Sequence, residues 1–467
     1  MRHLPGDTIA AISTALGPGA VALVRMSGDR AIEIADRVFR GQRPLADCAT
    51  HTVHHGRVLD ADGHEVDEVL ATIMCSPHTY TTEHIIEFGC HGGPVPARRV
   101  LAACLEAGAR QARRGEFTER AFLGGRIDLV QAEAVADIVS AETPRGLEMA
   151  LGQLGGGLSG RIAGLRVTLL SMRTEIEAAI DFPEDVDAAD ALRALTALSQ
   201  DAHSHVERLL ENQEVGAAVR DGVSVALVGK PNVGKSSLMN ALLMRDRSIV
   251  TSVPGTTRDA IEECLHLDGI PMRLVDTAGW RETSDEAERA GVERARAAAR
   301  CAALAVFVVD SSLPPDAQDS AVATCLDPRA TVVVANKSDL GRGVPASDFT
   351  ALFDGARAES APTAPAVLWA SALSGDGLEE LRSSLAELCL GPAHAECARV
   401  SNVRHAEALR AVRCCLHQVD ALVRDRAPYE LVGSELADAT AALSEITGET
   451  TPEEVVRHIF DRFCVGK

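Results

Sequence analysis

A glycine-bounded loop between a strand and a helix is the feature that most constrains the fold of this chain. Residues 229–236 read G-K-P-N-V-G-K-S, with an apolar run, Val223–Val228, before them and a helix-like segment, residues 237–243, after them. In the spacing G-x-x-x-x-G-K-S, the glycines let several backbone N–H groups point at one phosphate group, and the helix N-terminus adds its positive end. Lys235 then reaches the outer phosphates, and the Ser236 hydroxyl is a ligand for Mg²⁺. A chance loop with two glycines is the alternative, and the strand–helix setting argues against it. The pattern predicts binding of a nucleoside triphosphate.

The base is indicated by an N-K-x-D motif at Asn336, Lys337 and Asp339, at the end of another apolar run. A carboxylate there accepts two parallel hydrogen bonds from the N1–H and the exocyclic amine of guanine. Adenine would leave the Asp339 carboxylate unpaired, which gives discrimination of order ~10⁴. Alone, the motif is more often a strand-ending turn; behind the phosphate loop, it predicts guanine. A later loop would supply backbone donors to the base: Ser371, Ala372 and Leu373.

Two further loops complete the nucleotide pattern. Asp276, predicted at a strand end, would reach Mg²⁺ through water, and the N–H of Gly279 would sense the γ-phosphate. Upstream, the P-G-T-T sequence offers a threonine to Mg²⁺. The elements follow the order of a P-loop GTPase domain, which predicts a doubly wound α/β sheet. The predicted GTP-binding residues are Asn232, Val233, Gly234, Lys235, Ser236, Ser237, Thr251, Ser252, Val253, Pro254, Gly255, Thr256, Thr257, Asp276, Thr277, Ala278, Gly279, Asn336, Lys337, Asp339, Ser371, Ala372 and Leu373.

Hydrolysis needs a group that orients water, and this chain has no glutamine where many GTPases place one. Trp280 follows Gly279 instead, and an indole cannot orient the water in that way. A nearby acidic run, which includes Glu286 and Glu288, is typical of a solvated helix start, where negative charge suits the helix dipole. We expect one of these carboxylates to position the water.

These loops, together with residues 113–123 and 128–134 and the terminal F-C-V-G-K, make the chain similar to the MnmE (TrmE) family of tRNA modification GTPases, from residue 7 to residue 467. The resemblance implies that Glu288 orients the attacking water and that K⁺ replaces an arginine finger. It implies a face-to-face dimer of GTPase domains during turnover. The implied K⁺ ligands are Asn232, Thr251, Val253 and Thr256, and the implied Mg²⁺ ligands are Ser236 and Thr257. Without the family, Asn232 would be interpreted as a loop residue bonded to its own backbone.

The resemblance also implies that the N-terminal domain binds a one-carbon tetrahydrofolate, a 5-formyl or methylene derivative. The implied folate residues are Arg25, Glu87, Arg126 and Lys467, with Cys464 nearby as a catalytic thiol. From the residues alone, these four folate residues would be interpreted as ordinary surface or ion-pair residues, and Cys464 would be interpreted as a small buried apolar side chain. The sequence departs from the family at residues 80–84, Y-T-T-E-H where the family usually has Y-T-G-E-D, and at Arg126, where lysine is common.

The family works as a homodimer with the flavoprotein MnmG (GidA), in a heterotetramer that modifies C5 of the wobble uridine of certain tRNAs with a carboxymethylaminomethyl-type group. The resemblance therefore predicts a K⁺-dependent GTPase of tRNA modification. Two alternatives stay open. One is a ribosome-assembly GTPase of the Era or Der type, which would carry an RNA-binding module instead of the folate domain. The other is a regulatory scaffold whose GTPase only times partner release.

Length and composition limit the remaining possibilities. A chain of 467 residues has room for roughly three domains. We predict a multidomain α/β and α+β protein with an α+β folate-binding and dimerisation domain at 1–120, a helical domain at 121–215 and 391–467, and an inserted GTPase domain at 216–390.

The net charge of −21 argues against bulk electrostatic binding to nucleic acid. The twelve cysteines include no C-x-x-C, a pattern typical of a reducing compartment rather than of disulfides or a zinc site. No transmembrane segment or signal peptide is predicted, so we expect a cytoplasmic protein without membrane partners.

Overall fold

The structure is a computed structural model that describes residues 7–182, 184, 187–211, 213–246, 263–276, 302–354, 364–390 and 400–467. The chain divides into two compact units. Unit 1 comprises Met1–Ser140, Ala150–Glu207 and Glu407–Lys467, and unit 2 comprises Ala141–Met149 and Arg208–Ala406. The mixture of α/β and α+β folds predicted from the sequence is confirmed, and the predicted boundaries at 120, 215 and 390 stay predictions. Among the described residues, no helix combines the length and the apolar character needed to cross a bilayer.

Unit 1 begins with a seven-stranded sheet in the order β3-β4-β5-β6-β2-β1-β7, antiparallel except for the β1–β7 pair. The strands are β1 Ile9–Ile12, β2 Val21–Ser27, β3 Phe39–Gly41, β4 Thr52–Leu59, β5 Glu65–Met74, β6 Ile85–His91 and β7 Arg110–Gln111. β1 and β2 form an antiparallel pair across a turn that contains Gly17, Pro18 and Gly19. Helices α1 (Ala31–Val38) and α2 (Pro94–Glu106) belong to the core of this sheet.

Alternation along the strands gives this sheet one buried face and a second, open face, which is covered near β1, where Ile9 and Ala11 pack against Phe117. Val24, Phe88 and Ala71 lie directly opposite one another on neighbouring strands and are buried. The next residues of the same strands, which include Arg25 and Glu87, point to the other face.

The rest of unit 1 is helical. Its helices are α3 Glu116–Leu123, α4 Leu129–Ser140, α6 Gly157–Asp181, α14 Tyr429–Thr447 and α15 Glu453–Asp461, with α5 Pro144–Leu154, α7 Ala188–Leu210 and α13 Val403–Arg424 extending into unit 2. The chain has three consecutive glycines, residues 155–157, where α5 ends at Leu154 and α6 begins at Gly157. Leu165, Leu169 and Met172 are buried on α6, at the three- and four-residue spacing of a core-facing helix.

Unit 2 is built on a six-stranded sheet in the order β13-β12-β11-β8-β10-β9. Its elements are α8 Gln213–Asp221, β8 Val223–Val228, α9 Lys235–Asp246, β9 Glu263–Leu267, β10 Ile270–Asp276, β11 Leu304–Asp310, α10 Ala317–Ala323, β12 Thr331–Asn336, α11 Ala346–Ala351, β13 Ala366–Trp369 and α12 Leu378–Leu390. All pairs are parallel except β9–β10.

Both faces of this sheet are covered, as expected of a doubly wound fold. Alternate residues of β8 belong to different hydrophobic cores. Val225 and Leu227 pack in the core on one face of the sheet, and Ala226 and Val228 pack in the core on the other face. The loops after the carboxyl ends of β8 and β12 therefore meet at one edge, where this fold binds its ligands.

Candidate functional site

The phosphate loop of unit 2 connects β8 to α9, as the motif predicts. Asn232 has a φ of 65° and Gly234 a φ of 96°, both in the left-handed region. A Cβ at Gly234 would lie 2.4 Å from the side-chain nitrogen of Asn336, so only glycine fits between the loop and β12. Such a tight turn leaves consecutive N–H groups for phosphate oxygens.

Two lysines stabilise the shape of this loop. Lys235 Nζ donates to the carbonyl oxygens of Gly229 and Lys230, each at 2.9 Å. Lys230 Nζ lies 2.8 Å from Asp316 and 2.9 Å from Asp319, at the start of α10. Burial lowers the pKa of Lys230, but the hydrogen bonds to the two carboxylates outweigh burial and raise it overall. Lys230 therefore stays charged and holds the first turn of the loop.

Asn336 links the phosphate loop to the loop expected beside the base. Its amide nitrogen donates to Val233 O at 2.8 Å, and its amide oxygen accepts from the backbone N–H of Ala372 at 3.1 Å. Next to it, the Ser371 hydroxyl donates to Asp339 at 2.6 Å. One buried side chain thus sets the spacing between a phosphate-binding and a base-binding segment.

Lys337 and Asp310 lie beside this link. Lys337 has a φ of 63° and its Nζ lies 2.7 Å from Asp310 Oδ2. Burial raises the pKa of Asp310, yet the hydrogen bonds from Lys337 and Ser312 outweigh it and lower the pKa overall. Leu373 is 88% exposed, whereas the backbone N–H groups on either side of it are engaged: Ala372 donates to Asn336 Oδ1 and Ser374 donates to the Ser371 hydroxyl, each at 3.1 Å.

The other predicted nucleotide residues are placed only in part. Ser236 and Ser237 are exposed in the first turn of α9, and Asp276 is the last residue of β10. Asn232 is exposed, and its side chain makes no hydrogen bond with any residue that the structure describes. The remaining predicted positions lie outside the described residues: Thr251, Ser252, Val253, Pro254, Gly255, Thr256, Thr257, Thr277, Ala278, Gly279 and Glu288.

A second candidate site lies on the open face of the sheet in unit 1. Arg25 and Glu87 are directly opposite each other on β2 and β6, with Arg25 Nε 2.7 Å from Glu87 Oε1. Their side chains are 21% and 18% exposed, so the pair is accessible but largely desolvated. The Arg25 guanidinium lies 5.8 Å from the ring centre of Tyr80 and 5.7 Å from that of Phe117.

Tyr80 brings Arg126 to the same place. The Arg126 guanidinium lies 4.9 Å from the Tyr80 ring centre, and its Nη1 donates to the Tyr80 carbonyl oxygen at 3.1 Å. The Tyr80 hydroxyl is 2.9 Å from that of Thr118 on α3. One aromatic ring between two cations thus fixes the positions of residues that are far apart in the sequence.

The C-terminal segment reaches this site along α3. The backbone N–H of Phe117 donates to Lys467 O at 3.1 Å, and that of Gly115 donates to Cys464 O at 3.4 Å. A Cβ at Gly466 would lie 2.3 Å from Ile12 O, so the glycine permits the close passage along β1. Cys464 is exposed, and the alternative of a buried apolar side chain is wrong.

A buried ionic network holds α3 in place behind this site. Glu116, 2% exposed, lies 2.6 Å from Arg110 Nη2 and 3.3 Å from Arg120 Nη2, and accepts the backbone N–H of Arg113 at 2.7 Å. Burial raises the pKa of Glu116, but the bonds from Arg110 and Arg113 outweigh it, so the pKa falls to about 2. Arg120 also lies 3.0 Å from Glu83, which ties α3 to the segment that carries Tyr80.

Thr82, in the segment that departs from the family pattern, has a φ of 67°. A β-branched residue is strained in this left-handed conformation, which glycine adopts freely. The backbone keeps a glycine-type turn although the sequence has threonine.

A cavity of about 940 Å³ lies beside this ionic network, between α3 and α15. Thr82, Arg120, Leu123 and Arg457 are among the residues that line it. It has the size of a ligand pocket, roughly 300–1,000 Å³, but none of the implied folate residues lines it.

Comparisons with known proteins identify a family for both units. A family model described as the MnmE helical domain matches residues 129–464, and one described as the GTP-binding protein TrmE N-terminus matches residues 8–126. Two relatives, from Chloroflexus aurantiacus and Heliobacterium modesticaldum, are each 44% identical over 99% of this chain and 100% of their own length. A third, from Alkaliphilus oremlandii, is 40% identical over 99% of both chains. All three are described as the tRNA modification GTPase MnmE.

Proposed function

The chain belongs to the MnmE (TrmE) family of tRNA modification GTPases, and on that premise we propose that K⁺-dependent GTP hydrolysis in unit 2 drives modification of C5 of the tRNA wobble uridine. It is a GTP-hydrolysing enzyme of tRNA modification. The observation that carries the proposal is Asn336, which spaces the phosphate loop and the base loop through two hydrogen bonds. The ribosome-assembly alternative has no comparable support, because the family match extends over the helical and N-terminal regions.

Nucleotide binding replaces contacts that this loop now makes with itself. Lys235, bonded to two carbonyl oxygens of its own loop, turns to the outer phosphates when they enter. Asp339 exchanges its Ser371 hydrogen bond for the two N–H donors of guanine, or shares its second oxygen with them. Ser236 and Thr257 hold Mg²⁺, which supplies positive charge to the phosphate oxygens.

The water-positioning role is assigned to Glu288 and the K⁺ site to Asn232, Thr251, Val253 and Thr256. The exposed amide of Asn232, at the left-handed tip of the phosphate loop, has the oxygen donor that an alkali ion needs. Bound there, K⁺ supplies positive charge opposite the charge that develops on the transferred phosphoryl group.

The K⁺ proposal is tested by GTP hydrolysis in KCl and in NaCl at equal ionic strength. We expect much faster turnover in KCl and loss of that difference in Asn232→Ala. Ser237→Ala, at an exposed GTP-binding position in the first turn of α9 that is not an implied K⁺ ligand, is the control: whatever its absolute turnover, it should keep the preference for KCl. Equal wild-type rates in the two salts would refute the K⁺ site but leave GTP hydrolysis standing.

The tetrahydrofolate derivative is assigned to the site around Tyr80. The Glu87 carboxylate pairs with the pterin amino and ring N–H groups, while Arg25, Arg126 and Lys467 supply positive charge for the folate carboxylates. The bound folate supplies a one-carbon unit, and the exposed Cys464 thiol lies on the segment that ends at this site.

Two variants separate this site from the cavity between α3 and α15. Glu87→Gln should weaken 5-formyltetrahydrofolate binding by about tenfold or more, because a charge-assisted pair is lost. Arg457→Ala, in the cavity, should leave the affinity unchanged in the same fluorescence titration. The opposite pattern would assign folate to the cavity.

A homodimer is supported by apolar residues on the open face of the sheet. Val21, Val53 and Leu70 are 65%, 59% and 52% exposed. Val53 pairs with Thr72, which pairs with Glu87, so this apolar surface runs directly into the folate site. Leu70→Glu should convert a dimer to a monomer in light scattering, whereas Leu123→Glu, also exposed but on α3, should not.

The tRNA partnership is proposed to be shared with the flavoprotein MnmG. A net charge of −21 gives this chain little bulk attraction for tRNA, so a second protein that contributes basic surface fits the electrostatics. Cys464→Ser distinguishes an enzyme from a scaffold, since it leaves GTP hydrolysis intact in both cases. Loss of tRNA modification supports the enzyme, and normal modification supports the scaffold.

A further inference from the structure

A side-chain cluster between α7 and α13 has the composition of a transition-metal site. His203 comes from α7, and His417 and Asp420 come from α13; their potential ligand atoms all lie within 4.8 Å of one another. His203 Nε2 is 2.9 Å from Asp420 Oδ2, and the two imidazole centres are 4.7 Å apart. This cluster shares no residue with the nucleotide site or the folate site.

The spacing of the residues along the two helices explains why the three side chains meet. His417 and Asp420 are three residues apart, so they lie on one face of α13. His203 projects from α7 toward that face, where its side chain is 20% exposed. Three ligands from two helices converge here, as in metal sites built between the helices of a bundle.

The chemistry of the set favours a borderline cation. Two imidazoles and one carboxylate suit Zn²⁺, Co²⁺ or Ni²⁺ better than Mg²⁺ or Ca²⁺. Bonds of about 2.0–2.2 Å put tetrahedral ligand atoms roughly 3.4 Å apart. His203 Nε2 and Asp420 Oδ2, now 2.9 Å apart, would separate slightly, and the wider spacings in the cluster, up to 4.8 Å, would shorten, changes that side-chain rotation supplies. Without an ion, His203 and Asp420 are joined by a hydrogen bond. A bound cation would take the place of the shared hydrogen between the two side chains.

A further contact orients the carboxylate. The Ser199 hydroxyl, one turn before His203 on α7, donates to Asp420 Oδ1 at 2.5 Å. This bond leaves Oδ2 directed at His203, the arrangement in which an outer hydrogen bond fixes a metal-ligating carboxylate. Ser199 is 2% exposed, so its position is set by the packing of the helix.

We propose that His203, His417 and Asp420 bind one divalent transition-metal ion, with Zn²⁺ as the first candidate, and that the ion fastens α7 to α13. The unit boundaries fall at residues 207/208 on α7 and 406/407 on α13. The ion therefore joins the two chain segments that lead into and out of unit 2. Because metal binds the folded pair, it stabilises unit 1.

The test uses the full chain, freed of metal by a chelator and without nucleotide, titrated with ZnCl₂ by calorimetry. Co²⁺ absorption reports the coordination geometry. We expect wild type to bind one ion and to melt at a higher temperature with Zn²⁺. His417→Ala should lose about tenfold or more in affinity, and Asp420→Asn should behave alike. Since His417 is exposed, the metal-free His417→Ala protein should keep the wild-type melting temperature.

Two control variants make the result decisive. His205→Ala removes an imidazole from the same helix, where His205 faces Asp201 at 3.8 Å, and should bind Zn²⁺ as wild type does. Cys264→Ala removes a member of another group, with Glu142 and His266, and should also leave binding unchanged. Absence of Zn²⁺ binding in wild type, equal affinity in His417→Ala, or a loss confined to Cys264→Ala would each overturn the proposal.

Discussion

Glu116→Gln is the substitution whose cost the structure determines most directly. The pKa of Glu116 is about 2, against an ordinary 4.5, and the carboxylate is almost fully buried. At 1.36 kcal/mol per pH unit, this difference corresponds to about 3 kcal/mol of stabilisation at neutral pH. Glutamine keeps the shape but replaces one of the two acceptor oxygens with an N–H donor, as protonation of the carboxylate does with an O–H, so the substitution imitates the uncharged low-pH state of Glu116.

The pH dependence follows from the direction of the shift. Because the folded-state pKa lies below the ordinary value, the ionised carboxylate contributes its full stability above about pH 4.5 and loses it as the pH falls toward about 2. Urea unfolding of unit 1, followed at several pH values, should show wild type and Glu116→Gln converging in that window.

Glu119, on the same helix, is the matched control. Burial raises the pKa of Glu119 above its usual value, although Arg113 opposes this. Glu119→Gln should therefore cost little or nothing at pH 7. Equal destabilisation by the two substitutions, or a Glu116→Gln deficit that persists at pH 2, would refute the reasoning.

Three further substitutions test particular contacts. Gly234→Ala adds a Cβ 2.4 Å from Asn336 at a positive φ, so affinity for fluorescent GDP should fall by about 5- to 30-fold. Gly63→Ala, also at a positive φ but in open space, should leave the GDP affinity unchanged. Equal effects of the two substitutions would contradict the close fit between the phosphate loop and Asn336. Asp339→Asn should reduce GTP affinity by about 10²-fold or more, since guanine loses its double acceptor, and favour xanthosine triphosphate, whose C2 carbonyl accepts from the new amide; unchanged GTP binding would exclude this carboxylate as the base reader. Thr82→Gly should raise the melting temperature by relieving strain of roughly 1 kcal/mol, whereas its neighbour Thr81→Gly should lower it, because the buried Thr81 hydroxyl bonds Ser27; a lower melting temperature in Thr82→Gly would show that the threonine is not strained.

The sequence predicted those features whose pattern is local. The phosphate loop, the strand before it and the helix after it follow from glycine spacing and an apolar run within about twenty residues. The base-binding loops could be predicted because each follows a buried strand of a doubly wound sheet, and the carboxyl ends of such strands meet at one edge.

Features that depend on distant residues were beyond the sequence. The resemblance implied Arg25, Glu87 and Arg126, but not the Tyr80 ring that stands between the two cations. Cysteine spacing argued against a zinc site, whereas His203 and His417 are 214 residues apart and meet only when α7 packs on α13. Single-chain periodicity carries no information about such a meeting, because each histidine alone looks like a solvated helix residue.

Mass analysis of wobble nucleosides tests most directly the proposed link between guanine-nucleotide turnover and tRNA modification. Cells that lack this chain should lose the carboxymethylaminomethyl-type group from C5 of the wobble uridine. Wild-type chain should restore it, and Asp339→Asn should not. Normal wobble nucleosides in the deleted cells, or full restoration by Asp339→Asn, would contradict the account.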